Sequence, residues 1–248
     1  MKILTISNQK GGVGKSTIAA HLACLAQEKS LRVLFIETDT QGNSSNFLRD
    51  IAQQEFDAVQ LFGTDFPVLT GATGITLAAG TLDLADVEKS SLENFIQNFE
   101  KLHGMFDVVI IDTPPVMSVL QIAPMVVSNY LLAPFELSSF SVNGIQSIIQ
   151  TITNLKEDLN PDLEFLGMLP SRVKSNDKAQ AEILENLKSE YSHLLYRDGA
   201  YIPERQVIGM SASFNLPVWQ MKDNSTHLEV SKIIKPIFES ILDDVMGM

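Results

Sequence analysis

The residues with the clearest chemical capacity lie in one run near the start of the chain, Gln9-Lys10-Gly11-Gly12-Val13-Gly14-Lys15-Ser16-Thr17. Its three glycines let the backbone turn tightly and bring successive N–H groups toward an anion with no Cβ in the way. Lys15 adds a cation that can reach the β- and γ-phosphates of a nucleotide, and the Ser16 hydroxyl is placed to ligate Mg²⁺. Two carboxylates complete the set. Asp39 follows the apolar run Val33–Glu37, and Asp112 ends the run Phe106–Asp112, with Thr113-Pro114-Pro115 directly behind it. Acids at the ends of parallel strands are where such sheets hold ligands, and Asp112 has the form of an acid that orients Mg²⁺ through water. The chemistry these residues suit is phosphoryl transfer from a nucleotide to water, which relies on positioning and cations. No Ser/His/Asp or Cys/His constellation is legible, and that reaction needs none. His21 and Cys24, an i, i+3 pair without carboxylates, read as core rather than as a metal site.

These residues need strands and helices to hold them. Lys2–Ser7 and Arg32–Glu37 read as strands, as do Ile75–Ala79, Phe106–Asp112, Tyr130–Pro134 and Leu163–Leu169. Ser16–Glu28 carries Ile18, Leu22, Leu25 and Ala26 at helical spacing, and further helical patterns cover 92–104, 117–128, 139–158, 177–191 and 225–245. Strands alternating with helices of this length predict an α/β fold, a doubly wound and mostly parallel sheet with helices on both faces. No repeat or linker divides residues 1–248, so a single domain is expected. The last pattern has apolar positions Leu228, Val230, Ile233, Ile234, Ile237, Phe238, Ile241, Leu242 and Val245 and ends in acids, with no base after Lys235. That predicts packing against the sheet rather than a basic membrane anchor.

The 248 residues are 45% hydrophobic and 19% charged, enough for one sizeable core and incompatible with a disordered or collagen-like chain. No apolar run is long enough to span a bilayer, and no signal-peptide pattern follows Met1. One cysteine excludes an intramolecular disulfide. A cytoplasmic location is expected. The net charge of −12 repels DNA and anionic lipid on average, so nucleic-acid binding requires a local patch. Arg172, Lys174, Lys178, Lys188, Arg197 and Arg205 gather in one region with acids interleaved. A DNA patch and an ordinary mixed surface both remain open.

The usual phosphate-loop consensus has Gly at position 9, where this chain has Gln9, and a second lysine, Lys10, stands inside the loop. The string from Lys10 to Thr17 resembles the deviant phosphate loop of the ParA/MinD family of ATPases. Glu37-Thr38-Asp39-Thr40-Gln41-Gly42-Asn43 resembles the family's first switch, with Glu37 in place of Asp and Thr40 in place of Pro, and Asp112-Thr113-Pro114-Pro115 resembles its second. The resemblance implies a P-loop NTPase fold and a slow, Mg²⁺-dependent ATPase that dimerises face to face on ATP. Lys10 would reach the partner chain's ATP, and Lys10, Lys15 and Asp39 would be catalytic, Asp39 positioning the attacking water. Lys10, Gly11, Gly12, Val13, Gly14, Lys15, Ser16, Thr17 and Asp112 would bind nucleotide, and Ser16, Asp39 and Asp112 would face the metal. Glu37, one methylene longer than Asp, could still reach the metal shell, and the roles of Glu37 and Thr40 stay open. Arg172 falls where relatives contact the base, and Ile202-Pro203 resembles a turn near adenine. Arg172 reads equally as a solvated side chain, and Pro203 as a proline at the start of a helix. The family further implies a ParB-type partner, non-specific DNA binding, nucleoid association in the ATP state and partition of plasmids or chromosomes. The chain resembles the small members without an N-terminal helix-turn-helix domain. A MinD-like ATPase that positions a protein cluster or division component is the alternative.

Overall fold

In the computed structural model, seven strands form one sheet in which every neighbouring pair is parallel. They are β1 (Lys2–Ile6), β2 (Arg32–Glu37), β3 (Gln54–Asp57), β4 (Gly74–Ala79), β5 (Val108–Asp112), β6 (Tyr130–Phe135) and β7 (Glu164–Pro170), in the order β3-β4-β2-β5-β1-β6-β7. The helices are α1 (Lys15–Glu28), α2 (Asn43–Leu48), α3 (Leu92–Glu100), α4 (Val119–Val127), α5 (Val142–Asp158), α6 (Lys178–Tyr191), α7 (Gln206–Phe214) and α8 (Ser225–Met246). The structure describes residues 1–137, 142–222 and 225–248. Residues 139–141 of the helix predicted at 139–158 lie outside them.

The central strands are continuous apolar runs because both faces are covered. Val33, Phe35, Val108 and Ile110 pack with α1, α2 and α8 on one side, while Leu34, Ile36, Val109 and Ile111 pack with α3 and α4 on the other. Within α8 the side chains of Val230, Ile234, Phe238, Ile241, Leu242 and Val245 are buried in the first of these cores. The C-terminal pattern is therefore spent on packing, although Leu228 and Ile233, counted in the same stripe, face solvent. No described helix is long and apolar enough to cross a membrane.

Three elements had no counterpart in the sequence reading. β3, with sequence Gln-Glu-Phe-Asp, is an edge strand whose one buried side chain is Phe56. α2 is a polar six-residue helix, and α7 is a nine-residue helix with Gly209 in its middle. The doubly wound arrangement follows from crossovers in both directions. From β1 the chain passes through α1 to β2, leaving a gap that β5 fills, while β6 and β7 extend the opposite side. The order thus reverses at β1, and a ligand crevice is expected at its C-terminal end.

Candidate nucleotide site

Register sets the site. Ile6 of β1 pairs with Asp112 of β5, and Asp112 pairs with Glu37 of β2, so three strand ends stand side by side beneath the glycine-rich loop. Gly14 caps the start of α1 with left-handed backbone, φ 89°. A Cβ there would also lie 2.9 Å from the Ser171 hydroxyl, so a side chain would strain the backbone and push that hydroxyl aside. Val13 is fully buried and anchors the loop, leaving Gly11 and Gly12 exposed. The open N–H groups at the start of α1 and its dipole make the concavity an anion site.

The loop's two lysines occupy different surroundings. Lys15 is buried, and its Nζ donates to the Lys10 carbonyl at 3.2 Å. Burial lowers its pKa, and the fields of Asp112 and Asp39 act against that, with the amino group aimed into the loop. Lys10 is 46% exposed, with its Nζ 3.6 Å from Glu136 Oε2 at the end of β6.

Asp112 is fully buried. Its Oδ2 accepts from the Ser44 hydroxyl at 2.9 Å, and its Oδ1 has no partner. Burial and the nearby Glu37 push its pKa up to about 7, against the Ser16 and Ser44 hydroxyls and Lys15, which favour the charged form. An unpartnered carboxylate oxygen beside Ser16 and Lys15 fits the coordination sphere of a hard, oxygen-seeking Mg²⁺. Asp39 is half-buried at the rim, where its Oδ1 accepts the Gln41 N–H at 3.0 Å. It therefore closes a local turn and also faces Lys15.

Glu37 is held by the start of α2. Its carboxylate accepts the Ser44 N–H at 3.2 Å, the Ser45 N–H at 2.7 Å and the Ser45 hydroxyl. The first turn of α2 thus holds the carboxylate beside Asp112, and burial raises its pKa. Room for this comes from Gly80, where a Cβ would meet the Asp39 carbonyl at 2.3 Å and Glu37 Cγ at 2.9 Å. Ser44 and Gly80 were missed by sequence reading. Ser44 follows directly on the Gln41-Gly42-Asn43 signal.

A cavity of about 380 Å³ beside the loop is lined by Gly12, Gly14, Thr17, Arg172, Pro203 and Glu204, among others. Arg172 and Pro203, far apart in sequence, thus meet next to the phosphate loop. Pro203 bridges to Val173 and does not open α7, which starts at Gln206. The Arg172 backbone is left-handed, φ 56°, and its Nη1 lies 3.1 Å from both the Gly12 carbonyl and Glu136 Oε1, with Nη2 3.1 Å from Glu204 Oε1. Arg172 is neither free nor part of an open basic surface. Three of the other bases are matched with acids, Lys174 with Glu204, Lys188 with Glu185 and Arg197 with Asp244, while Arg205 donates to the Ser175 hydroxyl and the Glu204 carbonyl. His21 is buried with a pKa near 4, its Nδ1 2.7 Å from the Thr17 carbonyl and its Nε2 accepting from the Val218 N–H. Cys24 is a buried thiol pushed up to about 12. No group of three metal-ligating side chains of the His, Cys, Asp and Glu types exists among the described residues.

Comparison with known proteins places this geometry in a family. A family model described as an AAA domain matches residues 1–165. The chain is 33% identical to the protein IncC of Escherichia coli over 97% of its own length and 69% of that protein's. It is 26% identical to the chromosome partitioning protein ParA of Caulobacter vibrioides, covering 88% of this chain and 86% of that one. Among solved structures, a cobyrinic acid a,c-diamide synthase of Mycobacterium smegmatis with bound ATP analog and magnesium superposes with TM-score 0.70 at 27% identity. That match covers 87% of this chain and 93% of the other. An McdA–ATP complex from Cyanothece shares the fold over the full chain with TM-score 0.80 at 24% identity. The chain belongs to the ParA/MinD-type family of partition ATPases.

Proposed function

We propose that this ATPase is a nucleotide-switched dimer. Each protomer binds MgATP on its own loop through Lys15, lends Lys10 to the partner's nucleotide, and hydrolyses slowly until a ParB-type protein completes the site. The observation that carries this reading is the division between the two loop lysines. Lys15 is buried toward its own phosphate site, while Lys10 stands at the rim with its ammonium group outside that site. A cation at the rim acts on phosphate charge most effectively when a second chain closes over it. Val116 and Met117, exposed just beyond the second switch, supply apolar surface for such closure.

Within one protomer, the loop N–H groups and Lys15 hold the phosphates, and Arg172 and Pro203 line the cavity left for the rest of the nucleotide. Ser16 and Asp112 would hold Mg²⁺, which when bound neutralises developing charge on the phosphate oxygens. Asp39, beside Lys15 and open to water, is positioned to orient the attacking water. Partition over DNA is the cargo reading that IncC and ParA support. The pairing of Lys174, Lys188 and Arg197 with acids favours a second reading, placement of a different cargo. Co-sedimentation with DNA and with liposomes, each with and without ATP, separates them.

The test of the trans-acting lysine is complementation. Lys10→Ala and Asp39→Ala are each expected to be inactive. A heterodimer of the two keeps one site with an intact Asp39 and a partner's Lys10, so about half-site activity should return. No recovery in a verified heterodimer overturns the reading.

A further inference from the structure

Glu136 lies at the C-terminal end of β6 and takes no part in the chemistry described above. Its carboxylate nevertheless stands between the two rim cations, with Oε2 3.6 Å from Lys10 Nζ and Oε1 3.1 Å from Arg172 Nη1. Its side chain is 18% exposed, against 46% for Lys10 and 51% for Arg172, so the acid is the fixed member and the lysine the mobile one. The same strand end holds the loop by its main chain. Asn8 Nδ2 donates to the Pro134 carbonyl at 2.7 Å while Asn8 Oδ1 accepts the Lys10 N–H at 2.9 Å. Arg172 in turn grips the Gly12 carbonyl and Glu204.

From this we infer that Glu136 is a positioning residue that latches Lys10 within its own protomer and so opposes ATP-driven dimerisation. The inference rests on the reading of Lys10 as a trans-acting cation. To reach a partner's phosphate, Lys10 must leave Glu136, and that exchange is subtracted from the energy of closing the dimer. Its departure does not strand a buried charge, because Arg172 keeps hold of the same carboxylate at shorter distance. The latch is therefore releasable, and it is weakened by salt because one partner is exposed.

The test is a double-mutant cycle on ATP-dependent dimerisation, followed by analytical ultracentrifugation on the intact chain. Glu136→Gln should lower the protein concentration at half-dimerisation about threefold to tenfold at low salt. It should raise unstimulated turnover measured below that concentration. In a Lys10→Ala background the Glu136→Gln change should have no effect on dimerisation, and at 0.5 M salt its effect in the parent should shrink toward zero. A merely structural role for Glu136 would survive both conditions. Should Glu136→Gln unfold, Glu136→Asp draws the carboxylate back from Lys10 while keeping the charge, and should act in the same direction. If Lys10→Ala weakens dimerisation but Glu136→Gln leaves it unchanged or weakens it, the latch is overturned and the trans-acting lysine stands. If Lys10→Ala dimerises as the parent does, both are overturned together.

Discussion

Lys15, Glu37 and Asp112 are buried at the strand ends, whereas Lys10, Glu136, Arg172 and Glu204 surround the same loop from its exposed side. The two groups hold their charges by different means. The buried set is satisfied largely by main-chain groups and serine hydroxyls of α2 and the loop: Ser44 and Ser45 for the acids, the Lys10 carbonyl for Lys15. The rim set is satisfied mostly by one charged side chain against another. Main-chain and hydroxyl dipoles cannot leave, so the buried set is preorganised for phosphate and metal. Ion pairs between exposed side chains exchange at low cost, so the rim can be rebuilt when a ligand or a second chain arrives. The contrast supports the proposal that the buried set carries the chemistry and the rim the switching.

The largest effects should come from the buried set. Lys15→Ala removes the fixed cation aimed into the loop, and turnover should fall by about 10³-fold or more, with nucleotide affinity reduced as well. Equilibrium binding of a fluorescent ATP analogue and phosphate release would measure both. If each stays within twofold of the parent, the division between buried and rim charges does not hold. Asp39→Ala sharpens the boundary, because Asp39 is half-buried and belongs to neither set cleanly. A water-positioning acid acts in the transition state. Turnover should therefore fall about 10²-fold or more while ATP binding is retained and the ATP-bound dimer accumulates. Loss of binding together with turnover would move Asp39 into the phosphate-holding group.

Preorganisation has a cost that pH can reveal. Burial lifts Asp112 from its ordinary 3.8 to about 7, so the folded chain binds this proton more tightly than the unfolded chain does. The stability contributed by the neutral form is complete below the ordinary value and is lost as pH rises through about 7. Most of that loss falls between about pH 4 and 7, where the titration of buried His21 works in the opposite direction. Without nucleotide and Mg²⁺, the midpoint of thermal unfolding should therefore show only its tail, a small fall between about pH 6.5 and 8. His21, buried neutral with a pKa near 4, contributes stability that is present above the ordinary imidazole value of 6.5, so it adds little change in that window. Asp112→Asn keeps the position neutral at every pH. It should flatten the decline and make the protein more stable than the parent at pH 8, while losing Mg²⁺-dependent turnover. A decline of the same steepness in Asp112→Asn would assign it to another group.

The buried set was largely legible in the sequence and the rim was not. The spacing from Lys10 to Thr17, and acids ending apolar runs at Asp39 and Asp112, are local patterns, and register alone brings them together. Glu37 shows where locality stops. Its departure from Asp was visible, but its turn onto α2 depends on Gly80, more than forty residues away. α2 itself, Asn-Ser-Ser-Asn-Phe-Leu, has no helical periodicity and forms because its first turn is capped by that acid. At the rim, Arg172 was placed near the base by resemblance, yet its pairing with Glu136 and Glu204 joins three loops that no spacing relates. Glu136 did carry a signal. It is an acid at the end of β6, the same rule that marked Asp39 and Asp112.

The smallest expected effect tests whether any rim base is free to meet DNA. Arg172 is unsuited to that test because it lines the cavity proposed for the nucleotide, so its loss is expected to alter ATP binding first. Lys174 is the better probe: its side chain is 59% exposed, and its Nζ lies 3.6 Å from Glu204 Oε2. A chain of net charge −12 can hold a phosphate backbone only through a local patch, and dimerisation presents that patch twice. In the ATP-bound state, Lys174→Ala should weaken DNA co-sedimentation a few-fold. It should also reduce the slope of log K against log salt by about one per protomer engaged. ATP turnover without DNA should stay at the parent level, which separates a lost phosphate contact from damage to the cavity. If the slope is unchanged for Lys174→Ala and again for Lys178→Ala, the patch does not lie on this side of the molecule. If DNA binding is equally strong without nucleotide, the rim is not what ATP rebuilds, and the assignment of switching to it fails.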